Sequence, residues 1–350
     1  MVRPSEVGGP STTYSIALVE GDGIGPEQAA ATRDVLNRVG SAFAVSLDLI
    51  PVEAGDRALK SRGEALPEDS LRTIRKSDCC LKGPVGESAY DVIVRLRQEL
   101  DLYANVRPAK SLPNVPSISS QIDLVIVREN SEDLYSGLEE GDDQRATATR
   151  VITRRASYRI AKYAFELARQ RRMRVTAIHK ANVMKKTDGL FLSVCKEVAA
   201  SYSDIHLSDM LVDAAAMNLI RNPEEFDVIV TTNMFGDILS DEAAQVVGGL
   251  GLAPSANIGE SYAIFEPVHG CAPDIAGKGI ANPTSLILSA AMMLDWLSAK
   301  KHDQNGAKAS HAIRIAVEAC LAAGEVTPDL GGRLSTSEMG EAISSRISAK

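Results

Sequence analysis

Short apolar runs alternate along the chain with segments whose apolar positions recur every three or four residues, and this alternation predicts its elements. Tyr14–Glu20 reads as a buried strand; Gly21–Gly25 then turns into a helix that Pro26 opens at its first position. Arg145–Arg154 alternates in strand fashion ahead of a helix from about Ser157 to Gln170. Arg174–His179 predicts a strand, Asp188–Ala200 a helix, Met210–Val212 and Asp227–Thr232 strands, and Gly236–Val247 a helix. The C-terminal part holds three more helical stretches, near Thr284–Ala299, Ala309–Ala323 and Ser337–Ser348. Strands alternating with helices indicate a layered α/β fold. The proline-rich stretch Arg107–Pro116 is best placed to cross between domains, and no internal repeat or long charge block interrupts the pattern.

Composition narrows the function classes. The 350 residues are 45% hydrophobic and only 4% aromatic, enough for one large or two medium domains with an aliphatic core. The longest charge-free runs, Ala243–Gly259 and Gly279–Leu294, contain Gly or Pro and are too short for a membrane span. Met1–Thr13 lacks the apolar core of a signal peptide and reads as a frayed tail. A net charge of −8 disfavours nucleic acid or an anionic membrane as partner. Five cysteines, none at zinc or disulfide spacing, point to the reducing cytoplasm, each filling the place of a small buried hydrophobe.

Gly21-Asp22-Gly23-Ile24-Gly25-Pro26 after a strand invites a dinucleotide-binding reading. That pattern fails: the third glycine of G-x-G-x-x-G falls on Pro26, and Leu49–Asp56 offers no clean second strand ending in an acidic residue. A tight glycine turn that starts a helix is the better account. The acidic residues carry more chemistry. Asp237 and Asp241 stand four apart on one helix face, directly after an apolar strand, where α/β proteins build sites. Asp213 ends another strand. Three carboxylates at strand ends suit one hard divalent cation, Mg²⁺ or Mn²⁺, with positions left for substrate oxygens. Arg97, Arg107 and Arg128 complement them, because guanidinium groups bind carboxylates bidentately and three suit a di- or tricarboxylate. Lys180, after a strand, and Tyr135 are plausible proton carriers. His179 points to the opposite strand face from Lys180 and reads as structural.

Seven motifs extend this picture: Glu20–Glu27 (EGDGIGPE), Leu100–Pro108 (LDLYANVRP), Val127–Tyr135 (VRENSEDLY), His179–Val183 (HKANV), Gly236–Asp241 (GDILSD), Phe265–Lys278 (FEPVHGCAPDIAGK) and Thr327–Gly332 (TPDLGG). In combination they resemble the β-decarboxylating dehydrogenases that act on isocitrate, 3-isopropylmalate, homoisocitrate and tartrate or malate, from about Tyr14 to Ile347. The resemblance implies a two-domain α/β fold of the isocitrate/isopropylmalate dehydrogenase type, which is not a Rossmann fold. Residues 1–102 and 251–350 would form a discontinuous cofactor-binding domain, and 103–250 a substrate, metal and dimerisation domain. It assigns the metal to Asp213, Asp237 and Asp241, substrate carboxylates to Arg97, Arg107 and Arg128, and proton transfer to Lys180 and Tyr135. Cofactor contacts would fall on Asn182, His269, Gly270, Ala272, Asp274, Ile275 and Asn282. Asp274 should accept hydrogen bonds from ribose hydroxyls and repel a 2′-phosphate, which favours NAD over NADP. The resemblance also implies a homodimer or a tetramer, in which Lys180 and Asp213 enter the partner's site.

Tyr90, Ile93, Val94 and Arg97 share one helix face, so Ile93 and Val94 should line the pocket for the C3 substituent of the substrate. Isocitrate-specific relatives typically place Ser and Asn where Asp91 and Ile93 stand, and homoisocitrate relatives often place an arginine at the position of Val94. An apolar pocket suits an isopropyl group, whose burial gains roughly 1.5–3 kcal/mol. Val52–Leu59, Gly63–Leu71 and Leu81–Ser88 further resemble archaeal-type 3-isopropylmalate dehydrogenases. The expected reaction is NAD-dependent oxidative decarboxylation of 3-isopropylmalate to 2-oxoisocaproate and CO₂, a step of leucine biosynthesis. The alternatives are an isocitrate or homoisocitrate enzyme, or a non-catalytic regulatory subunit; retention of Tyr135, Lys180, Asp213, Asp237 and Asp241 weighs against the last. Tyr90 stands at or near the place where isopropylmalate enzymes usually carry a glutamate beside the nicotinamide.

Overall fold

The computed structural model describes residues 13–349, so nearly all of the N-terminal stretch read as a tail lies outside the described residues. Strands β1 (Thr13–Val19), β2 (Ser46–Val52), β3 (Cys79–Lys82), β4 (Ala104–Lys110) and β5 (Asp123–Glu129) come first. They are followed by β6 (Glu139–Gly141), β7 (Ala146–Ala148), β8 (Arg174–His179), β9 (His206–Leu211), β10 (Val228–Thr231), β11 (Pro254–Ile258) and β12 (Ala263–Pro267). Ten of them form one sheet in the order β2-β1-β3-β12-β11-β4-β5-β10-β8-β9, and β6 and β7 pair separately. The centre, from β12 through β11 and β4 to β5, is antiparallel, whereas both flanks are parallel. An antiparallel centre excludes the doubly wound parallel sheet of a Rossmann fold.

Helices cover both faces, so β3 and β10 are buried throughout; β10 reads as an unbroken apolar run closed by Thr231, and β3 as one closed by the buried Lys82. They are α1 (Gly25–Phe43), α2 (Asp56–Arg62), α3 (Glu68–Lys76), α4 (Ala89–Glu99), α5 (Arg154–Arg169) and α6 (Thr187–Ala199). The rest are α7 (Val212–Arg221), α8 (Asn233–Val246), α9 (Thr284–Lys301), α10 (Gln304–Ala322) and α11 (Thr336–Ser345). Helix α9 has no exposed face over its first two turns, being buried from Thr284 to Ala291, and it packs against β11, β12 and α10. Among the described residues no helix is long and apolar enough to cross a membrane. All five cysteines are free and four are buried; Cys271 is half-buried.

Several expectations change. Of Arg145–Arg154 only Ala146–Ala148 is a strand, because it pairs with the short β6 alone, and α5 already begins at Arg154. Arg107–Lys110, expected to cross between domains, belongs to β4 in the middle of the sheet; only the stretch after Lys110 is a connection. Val212 and Asp213 open α7 rather than ending a strand. Strand β2 and helices α2 and α3 were not anticipated. The glycine turn, by contrast, has a clear packing reason. A Cβ on Gly21 would lie 2.0 Å from the Pro84 carbonyl oxygen, and one on Gly23 would lie 1.9 Å from that of Cys271. Backbone from two other segments thus packs directly against both glycines, and Ile24 N–H donates to the Cys271 oxygen at 2.9 Å.

Candidate active site

Arg107 on β4, Arg128 on β5 and the first two turns of α8 meet at the carboxyl ends of β5 and β10. Arg128 is 1% exposed, and its Nε and Nη2 donate to Asn233 Oδ1 at 3.0 and 2.7 Å. Its Nη1 pairs with Asp237 Oδ1, and its guanidinium lies 5.0 Å above the Tyr135 ring. The Tyr135 hydroxyl donates to the other oxygen, Asp237 Oδ2. Arg107 Nη1 donates to Ser240 Oγ at 2.8 Å and Asp241 Oδ1 at 3.2 Å, while its Nη2 lies 3.4 Å from Asp237 Oδ1. Asp237 and Asp241 thus share one face of α8 and the guanidinium of Arg107.

Burial works against charge throughout this cluster, and the outcome differs by residue. At Asp237 burial favours the neutral acid, but Arg128 and Arg107 outweigh it and hold the carboxyl below its ordinary range. At Asp241 burial wins over Arg107 and the pKa rises. Burial, together with the like charges of Arg128 and Arg107, pushes Arg97 down to about 10. Burial and the bond to Asp237 raise the Tyr135 hydroxyl, keeping it protonated and able to donate.

Gly236 lets Arg128 lie flat against α8: a Cβ there would stand 2.6 Å from Arg128 Cγ and 2.7 Å from its Cβ. Gly236→Ala is expected to lower stability by about 1–3 kcal/mol through overpacking, despite the better helix propensity of alanine. Urea unfolding checks this; an unchanged midpoint would mean that Arg128 moves aside freely.

Lys180 and Asp213 stand elsewhere. Lys180 Nζ contacts Asp213 Oδ1 at 2.8 Å, and this bond is the main reason the Asp213 carboxyl lies below its ordinary range. Among the described residues no group of three or more His, Cys, Asp or Glu side chains could hold a metal ion. The three-carboxylate set is therefore not assembled within one chain. Asp213 follows β9 and Asp237 follows β10, and β8 lies between those strands, a separation of about 10 Å at the usual strand spacing. His179 is structural: it is buried, lies 3.2 Å from Asp209 and accepts the Ala181 N–H through Nδ1 at 3.0 Å.

His269, Gly270, Ala272, Ile275 and Asn282 line one cavity of about 330 Å³ together with Gln28 and Asp329. Burial lowers the His269 pKa, so the ring is neutral. Gln28 Nε2 donates to the Asn282 carbonyl at 2.8 Å, leaving the buried Gln28 Oε1 without a partner. Asp274 does not line this cavity; it is exposed on the short turn Pro273–Ile275 at its rim. Asn182 is exposed beside Lys180, again outside the cavity. Ile93 is half-buried one turn before Arg97, whereas Val94 lines an outer groove with Leu59, Leu66 and Tyr90, so the two do not form one pocket wall.

The sequence reading missed the bracing residues. Asp133 Oδ2 accepts the Met234 N–H at 3.1 Å, Asp188 Oδ2 accepts the Lys180 N–H at 2.6 Å, and Arg150 joins both carboxylates. Lys82 and Glu266, paired at 2.7 Å, are also new, although charged residues within buried strands are a signal that could have found them.

The family model described as isocitrate/isopropylmalate dehydrogenase matches residues 15–343. The chain is 53% identical to a 3-isopropylmalate dehydrogenase of Methanothermobacter thermautotrophicus, covering 96% of this chain and 99% of that protein. It is 48% identical to a homoisocitrate dehydrogenase of Methanocaldococcus jannaschii, covering 96% and 98%. Among solved structures, isocitrate dehydrogenase from Methylococcus capsulatus superposes with a TM-score of 0.89 at 44% identity, over 95% of this chain and 99% of that one. The matched family and the fold shared with the solved relative give the class, a decarboxylating dehydrogenase. The chain belongs to the isocitrate/isopropylmalate dehydrogenase family.

Proposed function

We propose that the chain is an NAD-dependent 3-isopropylmalate dehydrogenase, requiring Mg²⁺ or Mn²⁺ and working as a homodimer with shared sites. The observation that carries the reading is the meeting of Asp237, Asp241, Tyr135, Arg107 and Arg128, with the apolar Ile93 one turn from Arg97. Relatives named for the same reaction support it.

The residues fit the groups this reaction needs. Asp237 and Asp241 are hard oxygen donors one helical turn apart, and Asp213 of a second copy would supply the third carboxylate. His269 and Ile275 would flank the adenosine of NAD, the unpartnered Gln28 Oε1 offers an acceptor to it, and Asp274 at the rim would take the ribose hydroxyls. When bound, the cation supplies Lewis-acid polarisation of the substrate oxygens and NAD accepts the hydride. Arg97, Arg107 and Arg128 hold the substrate carboxylates and fix the reacting carbon. Lys180 of the second copy takes the proton of the C2 hydroxyl, and Tyr135 donates a proton as the product ketone forms. Exposed apolar stripes border both halves of this machinery: Met217 and Ile220 on the helix of Asp213, Met234 and Ile238 on that of Asp237, each 38–66% exposed. Apolar stripes so placed suit burial against another copy.

The test is NADH formation by the purified chain with Mg²⁺ on 3-isopropylmalate, isocitrate, homoisocitrate and D-malate under one set of conditions. 3-Isopropylmalate is expected to lead in kcat/KM by at least about tenfold, the scale on which a hydrophobic pocket discriminates. NADP should be the poorer cofactor. A lead for homoisocitrate or isocitrate would keep the site and overturn the specificity; no turnover on any substrate would indicate a non-catalytic subunit.

A further inference from the structure

Asn257, at 0% exposure on β11, makes an unusual set of contacts. Its Oδ1 accepts from Arg97 Nε at 3.2 Å, from Asn105 Nδ2 at 3.0 Å and from Asn130 Nδ2 at 3.0 Å. Three donors crowd an oxygen with two lone pairs. Its Nδ2 donates to Glu266 Oε1 at 2.6 Å, and Glu266 Oε2 lies 2.7 Å from Lys82 Nζ. A flipped amide would set NH₂ against three donors and oxygen against a carboxylate, so the network admits one orientation.

The sheet register explains how this cluster arises. Asn257 on β11 is the direct partner of Asn105 on β4, which is in turn the direct partner of Arg128 on β5. One rung of the antiparallel centre is therefore Asn–Asn–Arg, with all three side chains on one face. Asn105 Oδ1 accepts Arg107 Nε at 2.6 Å. Arg97 arrives from α4, and its bond to Asn257 is through Nε; among the described residues neither of its Nη atoms has a hydrogen-bond partner. The guanidinium is thus gripped by its stem and presents its outer edge.

We propose that Asn257 is a positioning residue for the hydroxy acid: it orients Arg97 directly and Arg107 through Asn105, and ties both to the Lys82–Glu266 pair. This rests on reading Arg97 and Arg107 as carboxylate ligands. A residue that only fills the core would affect stability without regard to Arg97. A positioning residue loses the part of its effect that passes through Arg97 once Arg97 can no longer be positioned.

A double-mutant cycle separates these roles. Asn257→Ala is expected to raise KM for the hydroxy acid on the order of tenfold or more, as for a lost hydrogen bond to a charged group, with KM for NAD changed less than about threefold. In an Arg97→Lys background the same substitution should raise KM several-fold less than in the native chain, the remainder being the share that acts on Arg107 through Asn105. The rise in melting temperature given by the hydroxy acid with Mg²⁺ should shrink in parallel. Asn257→Ser, which keeps one acceptor, should recover part of the loss, and it replaces Asn257→Ala in the cycle if that variant does not fold. Additive effects of the two substitutions, or equal rises in both KM values, would overturn the proposal. The cycle is run on whichever of the four acids the native chain turns over best, so its outcome does not depend on which acid is the preferred substrate.

Discussion

A Lys180→Met chain is expected to lose kcat by a factor on the order of 10²–10⁴, the range for a removed proton-transfer group, while its melting temperature stays close to that of the native chain. Methionine keeps much of the length of the side chain and lacks the amine. Asp213, which loses its partner, has a side chain 64% exposed and returns to water. Tyr135→Phe is expected to be similarly poor, because it removes only the hydroxyl that donates to Asp237. The two variants together give a sharper result. If Lys180 serves the site of a second copy, a hybrid dimer has one site with both native residues and one with neither. Mixing the two under exchange should then restore roughly a quarter of native activity, since half the dimers are hybrids with one working site each. If Lys180 serves its own chain, every hybrid site carries one defect and mixing restores nothing.

Arg150→Met should cost about 3–5 kcal/mol of stability, the usual penalty for leaving buried charge uncompensated. Arg150 lies between Asp133 and Asp188, whose side chains are both 0% exposed. Its Nε reaches Asp133 Oδ1 at 2.5 Å, its Nη1 pairs with Asp188, its Nη2 donates to Thr232 Oγ1 at 2.7 Å, and it lies 5.0 Å over the Phe235 ring. Asp133 also sits at φ +77°, a conformation that strains any residue but glycine and needs such bracing. Through these two carboxylates one guanidinium supports the turn of Lys180, the turn of Tyr135 and the start of α8. Urea unfolding of Arg150→Met and Arg150→Lys checks this: lysine should recover part of the loss, and a penalty below about 1 kcal/mol for methionine would show that water reaches the two carboxylates.

Pro26 in the place of a third glycine excludes a phosphate-binding fingerprint from local pattern alone. That Gly21 and Gly23 instead admit the carbonyls of Pro84 and Cys271 depends on segments distant in the chain. Asp237, Asp241, Arg107 and Arg128 were legible because charged residues at the ends of apolar runs stand out from their surroundings. Asn105, Asn130 and Asn257 were not, since an asparagine within or just after a strand carries no periodic signal and becomes part of a network only when sheet register and chain course set it beside another. Arg150 lies in Arg145–Arg154, whose strand-like alternation names no partner for it, and only the approach of Asp133 and Asp188 makes it a buried brace.

Residue chemistry and the rhythm of apolar runs are local properties, and they were enough for the class of fold and the acid and arginine types of the site; the seven short motifs, also local, carried the resemblance to the family. Which of those residues meet was settled by packing at a distance. Strand order set β8 between Asp213 and Asp237, cross-strand register aligned Asn257 with Asn105 and Arg128, and the pairing of β4 with β11 drew an expected connection into the centre of the sheet. Order and register arise from long-range packing and backbone pairing, which leave no periodic trace in any one segment.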